Sequence, residues 1–264
     1  LETRNEVVRL CSTMGDTPWF KMTQRHSDRI WLFARADARP SKPLLPDDPS
    51  PARQFRLVDL VLLHHGGERQ VTSTAEWMDA AEATRVFHWN QMDENDARRL
   101  SRTMSGKSVG LVLSGGGARA YAHIGVMRAL REANCPVDFI GGASMGAIVG
   151  AAIACGWDDE EIHRRIYQAF VETNPLSDYR LPVVGLVKGH KVDARLKEHF
   201  GDRLIEDLPI PFFAVSTNLT QGTFKVHTQG LLREALRATI SLPGILPPVV
   251  SGKQVLVDGA VLNN

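Results

Sequence analysis

A serine bracketed by glycines at two-residue spacing, Gly142, Ser144 and Gly146, stands between an apolar run at 137–140 and a small-residue run at 147–153. That order predicts a strand, a sharp turn and a helix, with the serine at the apex. In such an elbow the serine backbone is strained and both glycines are required, because a Cβ at either position would strike the adjoining strand or helix. The hydroxyl is then held out at a helix N-terminus, whose partial positive charge favours a developing anion. The chemistry this suits is nucleophilic attack by Ser144. Five-residue patterns of small residues also recur in ordinary glycine turns, so the strand before and the helix after carry the inference.

A second glycine cluster lies upstream. Residues 109–113 read as a buried strand that runs into Ser114, Gly115, Gly116, Gly117, Ala118 and Arg119, followed by a helix expected over 120–130. Successive glycines at a helix start present backbone N–H groups to an anion, which can be a phosphate or the oxyanion of acyl transfer. Spacing alone leaves both open. Gly115, Gly117 and Ala120 also fit the dinucleotide fingerprint, but that motif wants an acid at the end of the next strand, whereas Asp138 stands at its beginning and the serine elbow occupies its end. No Gly-Lys-Ser/Thr follows, which disfavours a kinase-type phosphate loop.

A third element is the apolar run 255–257 ending in Asp258, Gly259 and Ala260. Asp-Gly is ordinarily a strand-terminating turn. Here it supplies an acid for a serine that otherwise lacks a base, because no histidine follows Asp258. His163, His190, His199 and His227 lie between the two in polar surroundings that read as solvated faces. A triad of Ser144, Asp207 and His227 is allowed by chain order, though no strand end marks either partner.

The glycine loop, the serine elbow and the Asp-Gly-Ala turn together resemble the patatin-like phospholipase family, and more closely its neuropathy target esterase branch with its bacterial relatives. The closer resemblance rests on Thr17-Pro-Trp19, Ser27-Asp-Arg-Ile30, Leu60-Val-Leu-Leu-His64, Thr74-Ala-Glu-Trp77, Ile205-Glu-Asp-Leu208, Pro211-Phe-Phe213 and Ser241-Leu-Pro-Gly-Ile-Leu-Pro-Pro248, so it covers nearly the whole chain. It implies that Ser144 is a nucleophile and Asp258 its base in a Ser–Asp dyad. It also implies that Gly115, Gly116, Gly117, Ala118 and Arg119 form an oxyanion hole, that Gly142 and Gly146 shape the elbow, and that Gly259 and Ala260 form the turn after the base. Ala120 departs from the glycine that commonly closes the family's loop and requires a negative φ there. The substrate implied is a phospholipid or lysophospholipid ester met at a membrane surface, with no cofactor and no metal. The rival expectations are a nucleotide- or phosphate-binding module and a catalytically inactive regulatory homologue.

The elements that must position these residues predict an α/β fold: a three-layer core with a mostly parallel sheet over 107–264, preceded by a small α/β unit over 1–100. In the small unit, strands are expected at 29–34 and 58–63, a helix over 74–81 capped by Ser73 or Thr74, a proline-rich loop at 39–51, and a solvated connecting helix over 93–102. Trp19, Phe20, Trp31, Phe33 and Trp77 read as core. The segment 175–191 reads equally as a substrate-facing loop or a connector. With 43% hydrophobic residues the chain can bury a substantial core, and 31 basic against 30 acidic residues give no footprint for nucleic acid. Cys11, Cys135 and Cys155 suggest neither a disulfide framework nor zinc. No apolar run approaches the roughly 20 residues that span a bilayer. The expected location is cytoplasmic, peripheral at the inner face of a membrane. The resemblance further implies a catalytic domain continuing past Asn264 and cyclic-nucleotide-binding-like domains upstream, so residues 1–264 alone are expected to hydrolyse weakly or not at all.

Overall fold

The computed structural model describes residues 8–41, 44–45, 56–66, 74–179 and 185–262. Two compact units follow one another, Leu1–Lys107 and Ser108–Asn264. Both are mixed α/β, and four of the seven strand pairings are parallel.

In the first unit, strands β1 (Arg29–Arg35), β2 (Leu57–His64) and β3 (Arg85–Asn90) form a parallel sheet in that order. The central strand is buried almost throughout, and this is why its sequence is a continuous apolar run broken only by Asp59. Asp59 is tolerated there because the Arg85 guanidinium grips it with two bonds of 2.8 Å. Helix α1 (Pro18–Arg25) starts where Thr17 Oγ1 accepts the Phe20 N–H and Pro18 supplies the first helical φ. Helices α2 (Thr74–Ala81) and α3 (Glu94–Met104) complete the unit. Thr74 does not cap α2, since its buried hydroxyl finds no partner among the described residues; Ser73 and most of the proline-rich loop lie outside them.

Two expectations for this unit need correction. The helix over 93–102 is not simply solvated: Asp93 caps α3, and Asp96 and Leu100 turn inward and are buried, Asp96 accepting the Asn90 N–H. Of the five aromatics, Phe20 and Trp77 are core, but Trp19 and Phe33 are about half exposed. Phe33 alternates with buried Leu32 along β1, so the pleat turns it to the opposite face.

The second unit opens with β4 (Gly110–Leu113), a 3-10 turn (Gly117–Tyr121) and α4 (Ala122–Glu132). The helix expected from residue 120 therefore begins two residues later, because the chain leaving the glycines is first wound more tightly. Next come β5 (Phe139–Ala143) and α5 (Ser144–Ala154); the strand runs through Gly141 and Gly142, later than expected, and the helix begins at the serine itself. Helices α6 (Asp159–Tyr167) and α7 (His190–Phe200) precede β6 (Phe212–Asn218), β7 (Thr223–His227), α8 (Leu232–Thr239), β8 (Val249–Ser251) and β9 (Gln254–Asp258). From Gly146 to Ala154 every residue of α5 is buried, which explains its uniformly small and apolar composition.

The six-stranded sheet is organised around β6. One edge of β6 pairs with β7 over 214–218. The other edge is shared: residues 212–215 pair in parallel with β5, and residues 216–218 pair antiparallel with β9. Strands β5 and β9 thus lie end to end on one edge and run toward each other. Their carboxyl ends, Ala143 opposite Val215 and Asp258 opposite Ser216, meet at adjacent rungs. Asp138, at the foot of β5, is fully buried and accepts the Val109 N–H at 2.9 Å, tying β4 to β5.

The elbow glycines are sterically forced. A Cβ on Gly146 would lie well inside 3.0 Å of the carbonyls of Leu113 and Ser114, and one on Gly142 would meet the Leu113 carbonyl in the same way. We expect Gly146→Ala to lower unfolding stability by about 1–3 kcal/mol, the usual cost of overpacking. Gly125→Ala, in open space within α4, should instead raise it by about 0.5–1 kcal/mol through helix propensity. Thermal melts of both variants check this, and equal midpoints would show that the elbow has room for a methyl group.

Candidate active site

Ser144 is the first residue of α5 and has φ +52°, one of four non-glycine residues with positive φ among those described. A serine in this region is strained and is held there by its surroundings. Its Oγ donates to Asp258 Oδ2 at 2.6 Å across 114 residues of sequence. The meeting of β5 and β9 accounts for this proximity, and Gly259 permits it: a Cβ there would fall inside 3.0 Å of the Val215 carbonyl and press on Ala143.

Asp258 is 2% exposed. Burial pushes its carboxyl above the ordinary carboxylate range, against the opposing pull of hydrogen bonds from the Ser144 hydroxyl and the Ala260 N–H. The second of these, 2.9 Å to Oδ1, fixes the carboxylate's other oxygen and makes the Asp-Gly-Ala turn part of that carboxylate's support. A carboxylate strengthened as a base and bonded to a hydroxyl on a strained turn can take that hydroxyl's proton.

The glycine loop lies directly beside the elbow, since Leu113 pairs with Gly142 and the Leu113 and Ser114 carbonyls abut Gly142 and Gly146. Gly117 has φ +55°, and the N–H groups of Gly116, Gly117 and Ala118 form no hydrogen bond among the described residues. Gly116 through Arg119 are exposed. His123 lies 3.0 Å from the Ser114 carbonyl and ties the loop to α4. Ala120 is buried and is not among the residues with positive φ, so the alanine fits. Gly115 forms the inner, half-buried start of the loop.

The histidines are not uniformly solvated as the sequence suggested. His199 is buried, and its Nε2 finds no partner among the described residues. His227 lies 2.7 Å from Ser216 Oγ, with its pKa pulled down to about 4 by burial, while the Ser144 hydroxyl is bonded to Asp258 instead, so His227 is not placed against Ser144. The triad with Asp207, which sits in the 3-10 turn Ile205–Asp207, is therefore not assembled. His227 sits on a β7 that reads as polar, yet it lines a cavity shared with Leu196 of α7 and Ala235 of α8. The dinucleotide arrangement also fails, because Asp138 is consumed at the wrong end of β5. Of segment 175–191, the described residues 185–187 run alongside 244–245, with Leu186 N–H on the Gly244 carbonyl at 3.0 Å. No group of three His, Cys, Asp or Glu among the described residues is arranged to hold a metal, and no helix among them is long and apolar enough to cross a membrane.

Sequence reasoning missed Thr239 and Ser241. Thr239 Oγ1 accepts the Ser144 N–H at 2.9 Å, and the Ser241 carbonyl accepts the Asp258 N–H at 2.9 Å. Thr239 closes an otherwise amphipathic helix, and Ser241 reads only as the start of a motif, neither marked in the sequence for a role at the site.

The family model for patatin-like phospholipases matches residues 111–264, and the chain belongs to that family. It is similar to the uncharacterized NTE family protein Rv2565 of Mycobacterium tuberculosis, 44% identical over 165 residues, which cover 62% of this chain and 28% of that one. Lysophospholipase NTE1 of Kluyveromyces lactis is 39% identical over 175 residues, covering 65% and 12%. Patatin-like phospholipase domain-containing protein 6 of Homo sapiens is 31% identical over 299 aligned positions, covering 100% and 22%. The chain thus spans under a third of these relatives' length. Among solved structures, VipD from Legionella pneumophila aligns with a TM-score of 0.43 at 16% identity, covering 60% of this chain and 46% of that one.

His227 makes folding pH-dependent. Its folded value, about 4, lies below the ordinary 6.5, so the unfolded chain binds more protons between those limits. The contribution of His227 to stability is therefore full above pH 6.5 and is lost as pH falls toward 4. Urea midpoints at pH 7 and pH 5 should separate more for wild type than for His227→Gln, and equal separations would refute the assignment.

Proposed function

We propose that the chain is the core of a serine lipid acyl hydrolase of phospholipase or lysophospholipase type, in which Ser144 is the nucleophile and Asp258 the base. The observation that carries this is the 2.6 Å hydrogen bond from Ser144 Oγ, on a strained elbow, to a buried carboxylate. The lipid substrate is inferred from the family and from what its relatives are named. The unit over 108–264 is the catalytic domain, and the unit before it is a separate small domain.

In the reaction, Ser144 Oγ attacks the ester carbonyl carbon while its proton passes to Asp258 Oδ2. The oxyanion is met by the amides of the glycine loop, Gly115, Gly116, Gly117 and Ala118, with the Arg119 cation beside them. The tetrahedral intermediate collapses, Asp258 returns the proton to the departing alcohol, and an acyl-serine remains. Water, deprotonated by Asp258, attacks that acyl group and releases the fatty acid, restoring the Ser144 hydroxyl. Substrate is met at a membrane surface, with the enzyme peripheral on the cytoplasmic side.

Three outcomes test this in the full-length chain. Ser144→Ala should abolish ester hydrolysis and fluorophosphonate labelling while the melting temperature barely moves. Asp258→Asn should cut turnover by several powers of ten, because an amide accepts no proton; near-normal hydrolysis would require another base. Gly117→Val, which forces a β-branched residue to φ +55°, should lower turnover by about 10²–10³, the cost of losing an oxyanion donor.

The pH profile is a fourth check. Asp258 must be ionised to act, and its carboxyl is raised above the ordinary 3.8. The acid limb of kcat/KM should consequently fall off at a pH above 3.8, and a limb at or below that value would exclude Asp258 as the base.

A further inference from the structure

Ser144 carries a problem of its own making. As the first residue of α5 its N–H has no intrahelical acceptor, and Ala143 before it has no side chain that can accept. The elbow is packed against backbone on the side of Gly142 and Gly146, so water is not the evident partner. Thr239 resolves this from another helix. Its Oγ1, fully buried at the C-terminal end of α8, accepts the Ser144 N–H at 2.9 Å and donates its own hydrogen to the Val215 carbonyl. A hydroxyl has one hydrogen, so once that hydrogen is committed to Val215 a lone pair is fixed on Ser144. Val215 pairs with Ala143 in the sheet, and the chain Val215, Thr239, Ser144 therefore ties the elbow to the rung beneath it.

The same short segment holds the acid. Two residues on, the Ser241 carbonyl accepts the Asp258 N–H at 2.9 Å. The segment is itself anchored: Arg237 Nη1 donates to Ser241 Oγ at 2.5 Å, and its Nε donates to Asp193 Oδ1 on α7 at 2.7 Å. One end of α8 thus grips the backbones of both Ser144 and Asp258.

We infer that Thr239 is a positioning residue for hydrolysis: its hydroxyl holds the strained Ser144 backbone so that Oγ rests on Asp258, and it removes the Ser144 amide from the set of oxyanion donors. This rests on Ser144 and Asp258 acting as nucleophile and base. The consequence for the oxyanion is specific. Its donors must come from the glycine loop and from amides beyond Ser144, because the nucleophile's own N–H is already engaged.

The test compares Thr239→Val, which keeps the shape and loses the hydroxyl, with Thr239→Ser, which keeps the hydroxyl, both in the full-length chain. Thr239→Val should lower kcat and the rate of fluorophosphonate labelling of Ser144 together, by about 100-fold as expected for a small misplacement of a reacting group, with KM unchanged. Thr239→Ser should stay within a few-fold of wild type in both. If Thr239→Val does not fold, Thr239→Ala replaces it, and recovery of rate on going from Ala to Ser carries the same weight. Labelling of Thr239→Val at the wild-type rate, or equal rates for the Ala and Ser variants, overturns the proposal while Ser144→Ala, unlabelled, leaves the nucleophile in place. A wild-type protein whose Ser144 takes no probe overturns the parent reading, a result distinguishable from the first.

Discussion

One edge of β6 is divided between two strands that run toward each other, and the site depends on that division. A strand offers each edge only one row of hydrogen-bonding groups. Because β5 uses the row through Val215 and β9 uses it from Ser216, neither strand can advance without displacing the other. Their ends are therefore fixed at adjacent rungs, and residues 114 positions apart in sequence share a hydrogen bond. The glycines follow from the same crowding. Gly142, Gly146 and Gly259 stand where a carbonyl of a neighbouring segment already fills the space of a Cβ.

Burial then tunes what geometry has brought together. A carboxylate at 2% exposure is costly unless hydrogen-bonded, and Asp258 has the Ser144 hydroxyl on one oxygen and the Ala260 amide on the other. Those bonds favour the charged form, while desolvation opposes it and is the larger influence. The resulting carboxylate is more basic than an exposed one. In the proposed reaction this narrows the proton-affinity gap between acid and serine, which is how a pair without histidine can work. His227 shows the opposite outcome of burial nearby: bonded to Ser216 and kept neutral, it is a structural group.

The local signals in the sequence were strong where a residue's type was dictated by its own backbone. Gly142, Ser144, Gly146 and Asp258 could be singled out because elbows and strand-ending turns demand those residues, and the small run after Ser144 marked a helix buried on all sides. Strand β3 and helix α1 escaped, the first because Arg85 to Asn90 mixes charged, aromatic and polar residues on a half-buried strand, the second because its start depends on a Thr-Pro pair read only as a motif. Thr239 and Ser241 escaped for a different reason. Their importance lies in bonds to residues far along the chain, which no local pattern records. Similarly, His199 looked solvated yet is buried, and His227 is half-buried, because burial is decided by what packs over a strand or helix and not by its immediate neighbours.

The long interval between Ser144 and Asp258 also sets an order of assembly. The elbow, with β4, β5 and α5, draws on contacts close in sequence and can form early, whereas β9 must find an edge of β6 after a much longer loop has closed. During synthesis the serine is therefore displayed before its carboxylate exists. On a ribosome-bound chain Ser144 at first has neither the Thr239 hydroxyl that accepts its N–H nor the Asp258 carboxylate that accepts its hydroxyl hydrogen, and both arrive only as the last segments join the sheet.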